Sequence, residues 1–129
     1  MTEAEIVPGI VLHLDPDTLS DRGGTYTCTD AQRVQGGHFF ICLSVDDGAG
    51  KWLPLYSNPG VGRDELTVNG RTGHPKWTKG TFYWHRDQVW TAPSVAVVAA
   101  ASDGGDMSRP GSRNQLDESH LPSPAGSGS

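Results

Sequence analysis

GGHFFICLSVDDGAGKWLPLYS, residues 36 to 57, is the stretch that decides how the chain folds. An apolar run of aromatic and β-branched residues, Phe39 to Leu43, enters a polar turn at Asp46-Asp47-Gly48-Ala49-Gly50, and a second apolar run, Trp52 to Tyr56, leaves it. Neither run has the length or the 3.6-residue spacing of a helix, and glycine reaches the positive φ angles that a reversing chain needs. The pattern predicts a β-hairpin at the centre of a sheet. Antiparallel pairing sets the first residue of one strand beside the last of the other, so His38 should meet Tyr56 and Ser57 at one edge. That edge is the first candidate for a site.

Outward from the hairpin, the totals describe one domain. A chain of 129 residues, 35% of them hydrophobic, has room for one hydrophobic core but not two. Its 17 glycines and 9 prolines suit a fold of many turns, and much of that excess lies in the last quarter. No apolar run approaches the roughly 20 residues that span a bilayer. The acidic start, MTEAEIVPG, lacks the positive and apolar regions of a secretory signal, so a cytoplasmic protein with no membrane association is expected. Cys28 and Cys42 are too few for a disulfide scaffold and have no CxxC spacing for zinc. Cys42, inside the apolar run, reads as a small core residue. Cys28, in a polar Thr-rich segment, reads as exposed.

The net charge of −5 speaks against a general nucleic-acid binder, because phosphate binding is driven by Lys and Arg. Its distribution matters more than its sum. Acidic against basic residues run 8 to 2 over residues 1–50, 3 to 6 over 51–102 and 4 to 2 over 103–129. The net-basic middle also holds Trp52, Trp77, Trp84 and Trp90, and rings interleaved with cations can stack on and neutralise a single-stranded nucleic acid. The same rings could instead fill a small core, with the basic residues on its outer face.

Along the chain, residues 1–7 read as a frayed lead-in and Ile10 to Leu14 as a first strand, stopped by Asp15-Pro16-Asp17. Residues 17–37 read as a long loop with a short strand at Thr25 to Cys28, and a loop of that length is more often functional than decorative. After the hairpin, Asn58 to Gly62 is a turn. Asp64 to Val68 is a further strand closed by Asn69-Gly70, and Gly73 to Gly80 is irregular. Thr81 to Trp84 and Gln88 to Trp90 read as strands, and Ser94 to Ala101 as another. Residues 103–129, dense in Gly, Ser, Pro and charge, cannot bury enough surface to offset their ordering and are expected to be a disordered tail. The division is a domain over residues 1–102, mainly β and built as a small, partly open barrel, followed by that tail.

His85-Arg86-Asp87 spells a kinase triplet, but no glycine-rich loop, strand lysine or DFG accompanies it, and the match is chance. The five histidines do not pair with each other, with Cys or with carboxylates at a ligand spacing, so no metal or other cofactor is expected. Gly48-Ala49-Gly50 lacks the following helix of a phosphate loop.

Several pieces in order carry a stronger signal. Gly9 to Leu14 ends in Asp15-Pro16; Gly37-His38-Phe39-Phe40-Ile41-Cys42-Leu43-Ser44 follows a long loop; Pro54-Leu55-Tyr56-Ser57 ends the next strand; Asp87-Gln88-Val89 comes later. In this order the chain resembles the MazF/PemK/Kid family of type II toxin endoribonucleases across residues 8 to 90. The resemblance implies an SH3-like β-barrel, a homodimer, metal-independent cleavage of single-stranded RNA, and a cognate antitoxin whose acidic tail covers the same groove. The family places an arginine at the head of the second strand and a threonine at the end of the third; here those positions hold His38 and Tyr56, and Phe39 replaces the usual proline.

Attack of a ribose 2′-hydroxyl on the adjacent phosphate needs a proton acceptor, a proton donor and positive charge. Histidine can take or give a proton near neutral pH. On this reading His38, Tyr56 and Ser57 form the catalytic set, Lys79, Arg86 or Arg63 supplies the phosphate charge, and Asp87 and Gln88 support the site or contact substrate. The other reading is that losing the fixed guanidinium removes the bidentate phosphate contact. An SH3-like module that binds a protein or peptide then remains. A basic cluster around His38 would favour the first reading, and an apolar aromatic groove with His38 buried the second.

Overall fold

The computed structural model describes residues 2–103 and 113–123. The predicted hairpin is its centre. β1 spans Ile10–Leu14, β2 Thr25–Tyr26, β3 His38–Asp46, β4 Ala49–Tyr56, β5 Arg63–Glu65, β6 Arg71–Thr72, β7 Tyr83–His85, β8 Trp90–Pro93 and β9 Asn114–Leu116. Asp46 faces Ala49, leaving a two-residue turn in which Asp47 and Gly48 have φ of 50° and 74°. Two positive φ values in succession mark the tight reversal whose twist suits a hairpin, and glycine takes one of them without strain. One extra residue bulges β3 between Cys42 and Ser44.

Every pairing is antiparallel, and the main path runs β2-β8-β4-β3-β1-β9-β6, with β7 branching from β4 and β5 from β7. This mainly β sheet does not close: the end strands β2 and β6 pair with β8 and β9 alone among the described residues. Among the described residues the strands form an open sheet and do not make the expected partly open barrel.

Both faces of β1, β3 and β4 are covered, which is why their apolar runs are continuous rather than alternating. One cluster gathers Ile10, Leu12, Leu14, Phe40, Cys42, Trp52 and Trp90; the other gathers Val11, Ile41, Leu53, Leu55, Trp77 and Leu116. The expectation of one core is thus corrected to two, on opposite faces. Trp52, Trp77 and Trp90 are buried in them and Trp84 packs against the second. For Trp52, Trp77 and Trp90 the core reading holds, and they are not free to stack on a ligand; Trp84 is half-buried.

Among the described residues, three α-helices complete the fold. α1, Pro16–Asp21, begins where the Asp-Pro turn was expected, with Asp15 as N-cap and the Thr18 hydroxyl donating to its carboxylate at 2.7 Å. α2, Pro75–Lys79, occupies the stretch read as irregular. α3, Ser94–Asp103, replaces the strand expected at Ser94 to Ala101. Its buried residues Ala96, Val97, Ala100 and Ala101 repeat every four positions, and alanine's preference for helix outweighs the valines. The lead-in is anchored rather than frayed: Ile6 is buried, and Glu5 forms an ion pair with Arg113 at 3.1 Å.

The expected tail also contributes structure. β9 pairs with β1 and β6, Leu116 is buried, and the buried Asn114 side chain accepts the His74 N–H at 2.8 Å. Glu118–His120 form a 3-10 turn. The rest of that range, residues 104–112 and 124–129, lies outside the described residues.

Candidate functional site

β4 has two partners along one edge: residues 49–52 pair with β8, while Leu55 and Tyr56 pair with β7. The sheet forks there, and the link from β7 to β8 crosses the fork with Gln88 pointing into it. A groove of about 980 Å³ opens at this point. Of the residues singled out from sequence, His38, Tyr56, Ser57, Arg63, Asp87 and Gln88 line it. Lys79, at the end of α2, and Arg86, in an exposed ion pair with Asp64 at 2.9 Å, lie outside the lining.

The hairpin register brings His38 and Tyr56 together as expected, with ring centroids 6.0 Å apart and edge to face. His38 Nδ1–H donates to the Gly36 carbonyl at 3.3 Å. A carbonyl only accepts, so this bond sets the ring proton on Nδ1 and leaves the Nε2 lone pair to take a proton.

Gln88 is almost fully buried and acts as the pin of the site. Its Oε1 accepts from the Val34 N–H at 3.1 Å and the Trp90 Nε1–H at 3.0 Å. Those two donors fix the carboxamide orientation, so Nε2 donates to Tyr56 Oη at 2.8 Å. Tyr56 Oη accepts that bond and keeps its own proton for another partner. Burial pushes the phenol above the ordinary tyrosine range, outweighing the nearby Arg63 charge, and the hydroxyl stays a donor at neutral pH.

The Arg63 guanidinium lies 3.7 Å from the centroid of the Tyr56 ring and donates to the Asn58 carbonyl at 3.1 Å. It has no carboxylate partner among the described residues. Arg33, by contrast, is tied to Asp17 and sits over Tyr26 and Trp90. Asp87 is the one carboxylate among the described lining residues.

Sequence reasoning missed Arg33, His13 and His85 as lining residues. Arg33 came from a loop with no pattern, and His85 was set aside with the chance triplet. The alternation Tyr83-Trp84-His85 was the available signal: Trp84 faces the second core, which turns Tyr83 and His85 the other way. His13 packs edge-on against Phe39, and burial, followed by the charge of His38, holds its pKa below the usual histidine value. Burial raises both thiols, Cys42 to about 12, and neither is a ready nucleophile at neutral pH. Cys28 is half-buried at the groove rather than exposed.

No helix among the described residues is long and apolar enough to cross a membrane. Comparisons with protein-family models, curated proteins and solved structures found no match.

Proposed function

We propose that the groove binds single-stranded RNA and cleaves it without a metal, as a divergent relative of the MazF/PemK/Kid toxins with exchanged catalytic groups. The observation that carries this reading is the Arg63 guanidinium over the Tyr56 ring, beside His38. The strand head where the family pattern has arginine holds His38, and β5 delivers a cation to the same place from the other side of the fork. His38 is half-exposed and Arg63 reaches the groove without a carboxylate partner among the described residues, which favours a phosphate ligand over an apolar peptide.

His38 Nε2 takes the proton of the ribose 2′-hydroxyl as its oxygen forms a bond to phosphorus. The bond from phosphorus to O5′ breaks, and O5′ takes the proton of Tyr56 Oη. The phenolate regains a proton from the His38 imidazolium through solvent, restoring both groups. The products are a 2′,3′-cyclic phosphate and a 5′-hydroxyl. Arg63 offsets the charge of the phosphorane, the step at which a fixed cation contributes most. Gln88 acts through Tyr56 by holding its hydroxyl proton toward the groove.

On this reading the open sheet is an unclosed variant of the SH3-like barrel, the active form is a homodimer in the cytoplasm, and an antitoxin's acidic segment occupies the groove. Val61, 98% exposed at the groove's lip, is the observation that favours a protein-binding module instead. Cleavage of a long single-stranded RNA in EDTA separates the two. The intact protein should leave 2′,3′-cyclic phosphate ends, and His38→Ala should lower kcat by about 10²- to 10⁴-fold while keeping the fold. A folded protein that makes no cuts would leave the binding module standing.

A further inference from the structure

We propose that His85 holds the phosphodiester next to the one that is cut, as a neutral hydrogen-bond donor, making the groove a site for at least two successive RNA phosphates. This rests on the reading that the groove takes RNA. His85 Nδ1 accepts the backbone N–H of Asp87 at 3.0 Å. An amide N–H only donates, so the ring proton must sit on Nε2. His38 has the opposite tautomer, set by the Gly36 carbonyl. The backbone thus makes one imidazole a proton acceptor and the other a fixed donor. A neutral ring that gave up its Nε2 proton would become an imidazolate, so His85 donates a hydrogen bond and transfers no proton.

Placement separates the two rings. His38 is on β3 and His85 on β7, with β4 between, and neighbouring strands lie about 4.8 Å apart. Tyr56 faces Tyr83, which sets His85 two residues further along. Two strands across and two residues along sets the two backbones roughly 12 Å apart, a span that suits rings facing neighbouring phosphates. Arg63 bridges the gap: its backbone pairs with His85 while its guanidinium reaches the Tyr56 ring.

Gly62 makes room for the His85 ring. A Cβ there would stand 2.6 Å from Nε2, and the residue's φ of 79° favours glycine. The Arg86 N–H donates to the Gly62 carbonyl at 3.1 Å and fixes this loop against β7. The missing side chain is what lets this loop and the imidazole pack so closely, holding the ring in place at the groove wall.

The test uses a dinucleoside monophosphate and two trinucleotides that carry a single 2′-hydroxyl, with the extra phosphate on the 5′ or the 3′ side. His85→Ala should raise KM about tenfold or more on one of the trinucleotides, the size of a hydrogen bond to a charged group. KM on the dinucleoside and kcat on all three should stay unchanged, and His85→Gln, which restores a donor, should recover part of the loss. An all-deoxy trinucleotide, which cannot be cut, should bind about tenfold more weakly to His85→Ala by NMR titration. Nitrogen-15 spectra should show His85 with its proton on Nε2. Equal KM losses on every length, a kcat loss with a changed pH profile, an Nδ1 proton on His85, or no binding of the deoxy trinucleotide by the folded protein would overturn the proposal. His85-dependent binding of that trinucleotide without any RNA cleavage would instead overturn the nuclease reading and leave the phosphate subsite intact.

Discussion

Two arginines stacked on aromatic rings show how the same side chain builds structure in one place and leaves chemistry open in another. Arg71 lies over Trp77 and Phe82, with its centre 4.6 and 5.4 Å from their centroids. Its nitrogens donate to the carbonyls of Leu66, Thr67, Trp77 and Gly80, at 2.6 to 2.9 Å. That guanidinium ties β6, α2 and the loops beside them into one unit, with four of its five donors engaged and the residue buried. Arg63 lies over Tyr56 and donates to one carbonyl among the described residues. The remaining donors of Arg63 are available to a ligand. Stacking on a ring does not separate the two roles; the number of engaged donors does.

The largest expected effect tests the structural side of that contrast. Arg71→Ala would leave four carbonyls without their donor in a buried setting, at a cost of at least about 3 kcal/mol, read as a lowered urea midpoint. Arg71→Lys should recover only part of it, because an ammonium cannot reproduce the planar fork. On the proposed nuclease reading, Arg63→Ala should do the reverse, lowering RNA cleavage by about 10²- to 10³-fold while moving the urea midpoint little. Comparable losses of stability in the Arg71 and Arg63 variants would break the comparison.

A smaller effect sharpens the role of Gln88. In Gln88→Glu the side chain presents only acceptors when ionised, so the Tyr56 hydroxyl would turn its proton toward residue 88 and away from the groove. Cleavage should fall to the level of Tyr56→Phe, and the double variant should be no slower than either single one. Additive losses would show that Gln88 acts on substrate by another route.

The smallest effect is a pH dependence of stability. The folded-state pKa of His13 lies below its unfolded value of about 6.5, with burial the main cause and His38 the second. The unfolded chain therefore binds more protons as the pH falls, and the contribution of neutral His13, complete above about pH 6.5, is lost toward acid. Urea unfolding at pH 7.5 and 5.5 should show a loss in the intact protein that is reduced in His13→Asn.

The parts legible in sequence were those set by neighbours along the chain. The hairpin and its turn follow from two turn residues, and the meeting of the strand ends from antiparallel pairing, although the bulge between Cys42 and Ser44 is what sets His38 rather than Phe39 opposite Tyr56. Ile10 to Leu14 and the burial of Cys42 were legible for the same reason. Ser94 to Ala101 was not, since valine and alanine together suit either state and the surface of α1 and β1 decides between them. Asn114 to Leu116 carries no strand signal of its own; it becomes β9 because the edge of β1 offers unpaired backbone groups and the second core takes Leu116.

The sequence by itself determined a mainly β chain with a central hairpin and a histidine and a tyrosine at its open end, because short apolar runs, glycine turns and antiparallel pairing are local properties. Only the tertiary structure decided the fork of β4, the Gln88 pin and the delivery of Arg63 to Tyr56. Each of those depends on a hydrogen bond or ring contact whose geometry appears only when the strands have packed, and no spacing along the chain encodes it.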